Sequence, residues 1–432
     1  MSKKKQTLIL AVVASVALLI LSTSLLYSWP TIYPRGVTIF NNAKVEPGYI
    51  LFNPHAPGKG AMLIDNATGN IVKFWKYGGM PPKLLPNGNI FLHEREMLPG
   101  LPGYYTGDLT EFTWDGQKVW QWKGEIPGRK PLSSPFHHDF QRLENGNTLI
   151  LAMDKITRPN ISDHELMDDG FYEVTPEGKV VWELQTADLF DQFGYSDEQK
   201  KMIYRLEGTS LADWAHSNDL TLVPPNKWYD QGDQRFKPGN ILTDYRELDI
   251  ICIIDRDTRK ILWKLGPNYP DGKVDQIIGQ HDAHMIPKGL PGAGNILIFD
   301  NGGEAGYPPK IRGYSRVLEV DPVKKEIVWK YEAVAWRPNV THQGLFFSNY
   351  VCNAVRLRNG NTFISEGWPG RLFEVARDGE IVWEYLSPWV PTPPLAPPMN
   401  YIYRAYKYPK DYAPQFKDLK AIATFEGKPM TD

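Results

Sequence analysis

The stretch Gly279-Gln280-His281-Asp282-Ala283-His284 sets two imidazoles and a carboxylate between a glycine- and proline-bearing loop and an apolar run that reads as the next strand. Imidazole is the side chain best suited to carrying a proton or attacking an electrophile near neutral pH. A lone rim histidine is more often fixed by backbone hydrogen bonds. Here the junction recurs: His137-His138-Asp139 and His216-Ser217-Asn218-Asp219 each lead into an aliphatic run of the same kind. Equivalent residues in a repeated unit point to one shared site.

The repeated unit itself is legible. A phrase of Lys or Glu, two aliphatics and Trp ends at Trp75, Trp120, Trp182, Trp263, Trp329 and Trp383, spaced 45, 62, 81, 66 and 54 residues apart. Asn-Gly-Asn or Gly-Asn followed by aliphatics precedes most copies, at Asn87, Asn145, Gly239, Gly294 and Asn359. Asn-Gly supplies the positive-φ residues of a tight hairpin, and a third strand lies between the two phrases, as at Phe171–Val174. The pattern predicts an all-β fold, a six-bladed β-propeller of four-stranded antiparallel blades, with each Trp packed between neighbouring sheets. Spacings beyond a bare blade imply inserted loops: a charged short helix within 188–207, a polar loop at 224–238, a Gly/Pro-rich loop at 301–314, and a Pro/Tyr-rich stretch at 388–409 that wraps the outside or covers a mouth.

In such a fold the first strand of each blade lines the axis, so His138, His216 and His281 are expected around one mouth. Successive strand residues face opposite ways, and Asp139 is read as a bond to a neighbouring blade. His284, three residues after His281, is a weaker candidate that either assists or faces away, while His342 is a further channel candidate. Ligands drawn from three blades, without a short-spaced pair on one element, do not favour zinc, so no metal and no cofactor are expected.

Composition bounds the partners. With 48 basic and 50 acidic residues, nothing suggests nucleic acid. Lys3-Lys4-Lys5 precedes an uncharged apolar run from Leu8 to Leu26, long enough to span a bilayer, with no A-x-A-like site after it. An uncleaved N-terminal transmembrane helix is favoured over a removed signal peptide. The expected organisation is an anchor at 1–28, a propeller at 29–390 on the periplasmic or extracytoplasmic side of the cell membrane, and an extension at 391–432 packing on it. Cys252 and Cys352 read as core residues. A homodimer is left open.

These residues resemble the bacterial arylsulfate sulfotransferases. The resemblance covers about residues 60 to 385 and rests on His137-His138-Asp139, Asp213-Trp214-Ala215-His216-Ser217-Asn218, Asp244-Tyr245-Arg246, Gln280-His281 and Phe299-Asp300-Asn301-Gly302 leading to Tyr314-Ser315-Arg316. It implies that His281 takes the sulfuryl group as a sulfohistidine, in ping-pong fashion, from an aryl sulfate donor to a phenol acceptor without a nucleotide (PAPS-independent). It implies that His216 and Arg246 bind the sulfuryl oxygens, and that His138 completes the cradle or moves the phenol proton. His137, Asn218 and His342 join the substrate-binding set, with Arg316 as the alternative to Arg246. Two other readings stay open: a non-catalytic membrane-held propeller serving as a binding subunit, and a quinone-cofactor dehydrogenase. The second should show acidic cation ligands and eight blades.

Overall fold

A computed structural model describes residues 35–55, 60–93, 96–97, 105–134, 136–206, 212–269, 273–333, 345–389 and 400–430. The apolar N-terminal run and His342 lie outside the described residues. Among the described residues no helix is long and apolar enough to cross a membrane.

Six antiparallel sheets follow one another along the chain, four strands in each, and the sixth gains a fifth strand, Gly36–Phe40, on its outer edge. Blade two runs from Lys83–Leu84 to Lys118–Trp122, blade three from Phe140–Arg142 to Val180–Gln185, and blade four from Ser217–Leu222 to Ile261–Leu265. Blade five runs from His281–Met285 to Glu326–Tyr331, and blade six from Cys352–Arg356 to Ile381–Leu386. The first strand of each is innermost, and from blade three onward it touches the first strand of the next blade. The expected helix is present at Asp197–Tyr204, held at its start by a capping box of Ser196 and Gln199.

The Asn-Gly phrases make the expected hairpins in a specific form. Gly88, Gly146 and Gly360 alone take positive φ (87°, 86° and 91°), while the preceding Asn does not. Gly88 N–H donates to Leu85 O and Leu85 N–H to Asn89 O, and the same pair of bonds recurs at Leu143–Asn147 and Leu357–Asn361. This is a type I turn closed by a glycine bulge, which matches the strand twist with one left-handed residue.

The tryptophan phrases build the ring. Each indole Nε1–H donates to a backbone carbonyl in the next blade: Trp75 to Trp114, Trp120 to Pro176, Trp182 to Arg256, Trp263 to Pro322, Trp329 to Arg377, and Trp383 back to Asn66 in blade one. A buried indole needs a partner for its N–H, and here that partner is always the neighbouring sheet.

One segment differs from its sequence reading. The stretch read as an external wrap or a mouth cover supplies strand Ile402–Pro409, which pairs with Gly48–Pro54 as the innermost strand of blade one. The prolines that argue against a strand end at Pro398. Beyond them Tyr401 to Tyr408 is rich in β-favouring aromatics, and its partner strand Gly48–Pro54 is buried throughout. The last inner strand therefore closes the first blade, joining the two ends of the propeller.

Inner strands are also stapled side chain to backbone. Asp139 accepts from Leu220 N at 3.2 Å, Asp244 from Ala283 N at 3.0 Å, Asp282 from Ala354 N at 3.1 Å, and Asn353 from Ala405 N at 3.1 Å. The role expected of Asp139 is thus the one it has, and it extends around the axis. Arg404, fully buried on the closing strand, lies at the centre, with Nη1 at 3.2 Å from Asp139, 3.5 Å from Asp219 and 3.4 Å from Asp282. Burial works against the charged form of Asp139, yet Lys83 and Arg404 hold its carboxyl below the usual range. Cys252 and Cys352 are buried free thiols, as expected of core residues.

Candidate active site

Three first strands bring their leading histidines together at one mouth. His138 Nε2 and His216 Nε2 are 3.0 Å apart. Both residues adopt left-handed backbone, with φ of 63° and 52°, as do Asp282 (56°) and Val351 (55°) at the starts of the next two inner strands. Such conformations cost a non-glycine residue about 1–3 kcal/mol and gather at functional sites. They also defeat simple alternation. In a regular strand His137 and His138 would face opposite ways, yet their ring centroids lie 3.9 Å apart, and His137 lies 5.2 Å from His216.

Carboxylates stand behind two of these rings. His137 Nδ1 is 2.9 Å from Asp169 Oδ1, and His216 Nδ1 bonds Asp213 Oδ2. Asp169 also accepts from Ser217 N at 2.6 Å, so the carboxylate of blade three fixes the start of blade four. Burial opposes charge on His216, but Asp213 outweighs it and raises the imidazole pKa above its usual value. For His138, burial and the neighbouring His137, His216 and His281 all lower the pKa, well below 6.5. The proton between the two Nε2 atoms therefore belongs with His216. Tyr403, from the closing strand, stacks on His138 at 5.3 Å and 15°.

His281 is 1% exposed. Burial first, then the charges of Arg246, Arg404 and His216, hold its pKa well below 6.5, so the ring is neutral. Its Nδ1 is 2.8 Å from Asn301 Oδ1 and 3.2 Å from Gly279 O, both acceptors, so Nδ1 carries the proton. The lone pair then sits on Nε2, which accepts from Val351 N at 3.3 Å. Arg246 N–H donates to His216 O at 2.9 Å, tying the arginine backbone to the same mouth, and its guanidinium pairs with Glu247 and donates to Glu304 O at 3.0 Å. Burial pushes the Glu247 carboxyl up, against Arg246 and His216.

The remaining candidates are placed as follows. Asn218 is buried and donates to Gln280 O at 3.1 Å, bracing the residue before His281. Arg316 is buried and taken up by Asp300 (2.9 and 2.6 Å), Gln276 O and Asp275. His284 Nδ1 donates to Asp282 O at 2.9 Å, and the ring lines a separate cavity of about 260 Å³ with Lys83, Gln141 and Thr221, on residues further along the inner strands. Of the two readings of His284, facing away is the one that fits this position.

Asn301, Asp213, Asp169 and Tyr403 carry no assigned role in the sequence reading. Asn301 and Asp213 stand inside the quoted motifs, where a polar partner for each histidine was available to be sought. Asp169 shows only as an acid within a strand, Glu165–Val174. Tyr403 is hidden by the proline-rich approach to its strand. Of the residues present, His137, His138 and His216 have geometry that could hold a metal, each offering one nitrogen within 4.8 Å of the others.

The fold and this mouth define a six-bladed β-propeller with a neutral buried imidazole beside an imidazole pair and an arginine. The chain belongs to the arylsulfotransferase (ASST) family, whose sequence model matches residues 81–387. No curated protein matches it. Among solved structures it is similar to a protein of unknown function from Bacteroides caccae (14% identity, 84% of this chain and 98% of that one, TM-score 0.47). It is also similar to a streptogramin B lyase (13%, 83% and 84%, 0.40) and to apo AztD from Citrobacter koseri (10%, 84% and 99%, 0.38). At these scores the likenesses carry no argument about function.

Proposed function

We propose that this chain moves a sulfuryl group from an aryl sulfate to a phenol, without a nucleotide donor, through a sulfohistidine at His281. The observation that carries this reading is the state of His281: a neutral ring whose Nδ1 proton is held by Asn301 and Gly279, placing on Nε2 a lone pair that attacks once it gives up its 3.3 Å bond from Val351 N–H. In the first half-reaction Nε2 attacks sulfur and the S–O(aryl) bond breaks, its electron pair leaving with the phenolate. In the second, the acceptor oxygen attacks sulfur, the S–N bond breaks, and the acceptor proton passes to His138 or to water. Charge gathers on the peripheral oxygens, as in phosphoryl transfer, so catalysis is largely positioning and electrostatic stabilisation. His216 and Arg246 supply donors, and Val351 N–H, which already points at Nε2, is a further one.

An aryl group also has a surface to lie on. Tyr350 packs edge-on against Trp368 at 4.6 Å, beside Tyr401, Met80 and Val351. A phenolate with a pKa near 10, like that of Tyr, leaves readily enough without a metal. Incubating the chain with a chromogenic aryl sulfate and a phenol, without nucleotide, should release chromophore in an acceptor-dependent way. Silence across several aryl sulfates would contradict the assignment. We read the apolar run from Leu8 to Leu26 as an anchor holding the propeller outside the cytoplasm. Protease added to intact spheroplasts should then digest the propeller, and full protection would overturn that placement.

A further inference from the structure

We propose that His137, His138 and His216 form a binding site for one divalent transition-metal ion of the zinc class, and that loading it blocks sulfuryl transfer at the same mouth.

Three independent features point there. The first is the convergence itself: one nitrogen from each ring falls within 4.8 Å of the other two, and the His138 and His216 Nε2 atoms are 3.0 Å apart. A tetrahedral zinc with Zn–N bonds of 2.0–2.1 Å places its nitrogens about 3.3 Å apart, so small ring rotations suffice. The second is what stands behind the rings. His137 Nδ1 bonds Asp169 and His216 Nδ1 bonds Asp213, the carboxylate–histidine arrangement that fixes the tautomer and turns Nε2 toward a metal. The third is an unpartnered atom: His137 is only 4% exposed, yet its Nε2 has no hydrogen-bond partner among the described residues. A buried polar atom without a partner calls for an occupant.

The ligand set suits the ion. Imidazole nitrogen favours Zn, Cu and Ni over the hard cations. Three protein ligands leave a fourth position open, as in zinc sites that exchange a bound group. His137 and His138 are adjacent, so the short-spaced pair missing from the three-blade set considered in the sequence is supplied by one element. The left-handed backbone of His138 is what makes this possible.

The consequence for sulfuryl transfer follows from shared atoms, and this part rests on the proposed function. A metal on Nε2 of His138 and His216 displaces the proton between them, removing His216 as a donor to the sulfuryl oxygens and His138 as an acceptor of the phenol proton. His281 is not a ligand, so a loaded enzyme keeps its nucleophile and loses its cradle.

The test is calorimetric titration of Zn²⁺ into the chelator-stripped full chain. One saturable site is expected. Asp169→Asn, which keeps the shape of the residue behind His137, should weaken binding about 10- to 100-fold. His137→Gln should weaken it at least as much, and His281→Ala should leave it unchanged. Absence of a saturable site, or binding that ignores both His137→Gln and Asp169→Asn, overturns the metal site. So does binding abolished by His281→Ala. Adduct formation in the metal-free protein is measured separately, so an enzyme that sulfates His281 but binds no Zn²⁺ refutes only this inference. A chain that binds Zn²⁺ but never forms the adduct refutes only the proposed function. Full turnover at saturating Zn²⁺ would overturn the blocking role.

Discussion

Asn301 Oδ1 stands 2.8 Å from His281 Nδ1, and its amide cannot be turned around, because Asn301 Nδ2 donates to Ser348 O at 2.7 Å. A carbonyl only accepts, so the amide nitrogen must face Ser348 and the amide oxygen must face the imidazole. The tautomer of His281 is therefore set by a chain of bonds running from blade five to the segment that leads into blade six. Asn301→Leu keeps the volume and removes this constraint. It should slow sulfation of His281 on the order of 10²-fold, the scale of a small misplacement of reacting groups. Single-turnover measurement reads it; an unchanged rate would remove Asn301 from the positioning of the nucleophile.

Arg246 lies where its charge lowers the pKa of His281 and its backbone bonds His216. Arg246→Ala should leave a detectable half-reaction slowed by about 10²–10³, the usual loss on removing one donor to developing charge. Because Glu247 would lose its partner, Arg246→Ala is best compared with the Arg246→Ala/Glu247→Gln double variant. If the double variant regains the wild-type rate, the arginine serves only to neutralise Glu247.

How far the site could be read from the chain depended on which residues announce themselves. The six tryptophans and the Asn-Gly turns gave the blades, because a repeated packing contact and a repeated turn must be written repeatedly. The three histidine junctions were visible for the same reason. Asp169 was not, since nothing marks one acid within the third strand of blade three, and Tyr403 was not, since its strand reaches the mouth only once the ring is closed. His137 was visible as a substrate-binding candidate, but its packing on His138 was not, because strand alternation holds only where the backbone is extended and His138 is left-handed. The closing strand was masked by its proline-rich approach.

That closing strand carries a stability prediction. Arg404 is fully buried among Asp139, Asp219 and Asp282. Replacing it with Met removes the cation these three carboxylates share and leaves Lys83 beside Asp139 alone; removal of one partner from a buried charge cluster costs about 3–5 kcal/mol. Denaturant unfolding should show a midpoint shift of that size. A shift under about 1 kcal/mol, the worth of an exposed pair, would mean that the cluster is not held by Arg404.

Asp249 offers a pH test. Burial raises its carboxyl pKa to about 7, with Asp300 and Glu247 adding to the rise and the Gly279 N–H bond opposing it. The folded pKa lies above the unfolded value of about 3.9. Its stabilising contribution is therefore complete at acid pH and is lost as pH climbs through about 7. Asp249→Asn keeps an acceptor for Gly279 and cannot ionise. Relative to it, the wild type should lose about 1.4 kcal/mol for each pH unit between about 3.9 and about 7, and nothing further above about 7. Parallel stability curves for the two proteins from about pH 4 to about pH 7 would show that the fold does not hold a proton on Asp249.

The central claim concerns one nitrogen. Intact-protein and peptide mass spectrometry of the chain, after exposure to an aryl sulfate with no acceptor, should find a single sulfuryl adduct on the peptide bearing His281. The adduct should discharge on adding a phenol and be absent from His281→Ala, which should also lose turnover. An active enzyme whose His281→Ala variant still carries the adduct would contradict the account and move the nucleophile to another imidazole of this mouth, with His216 the next to test.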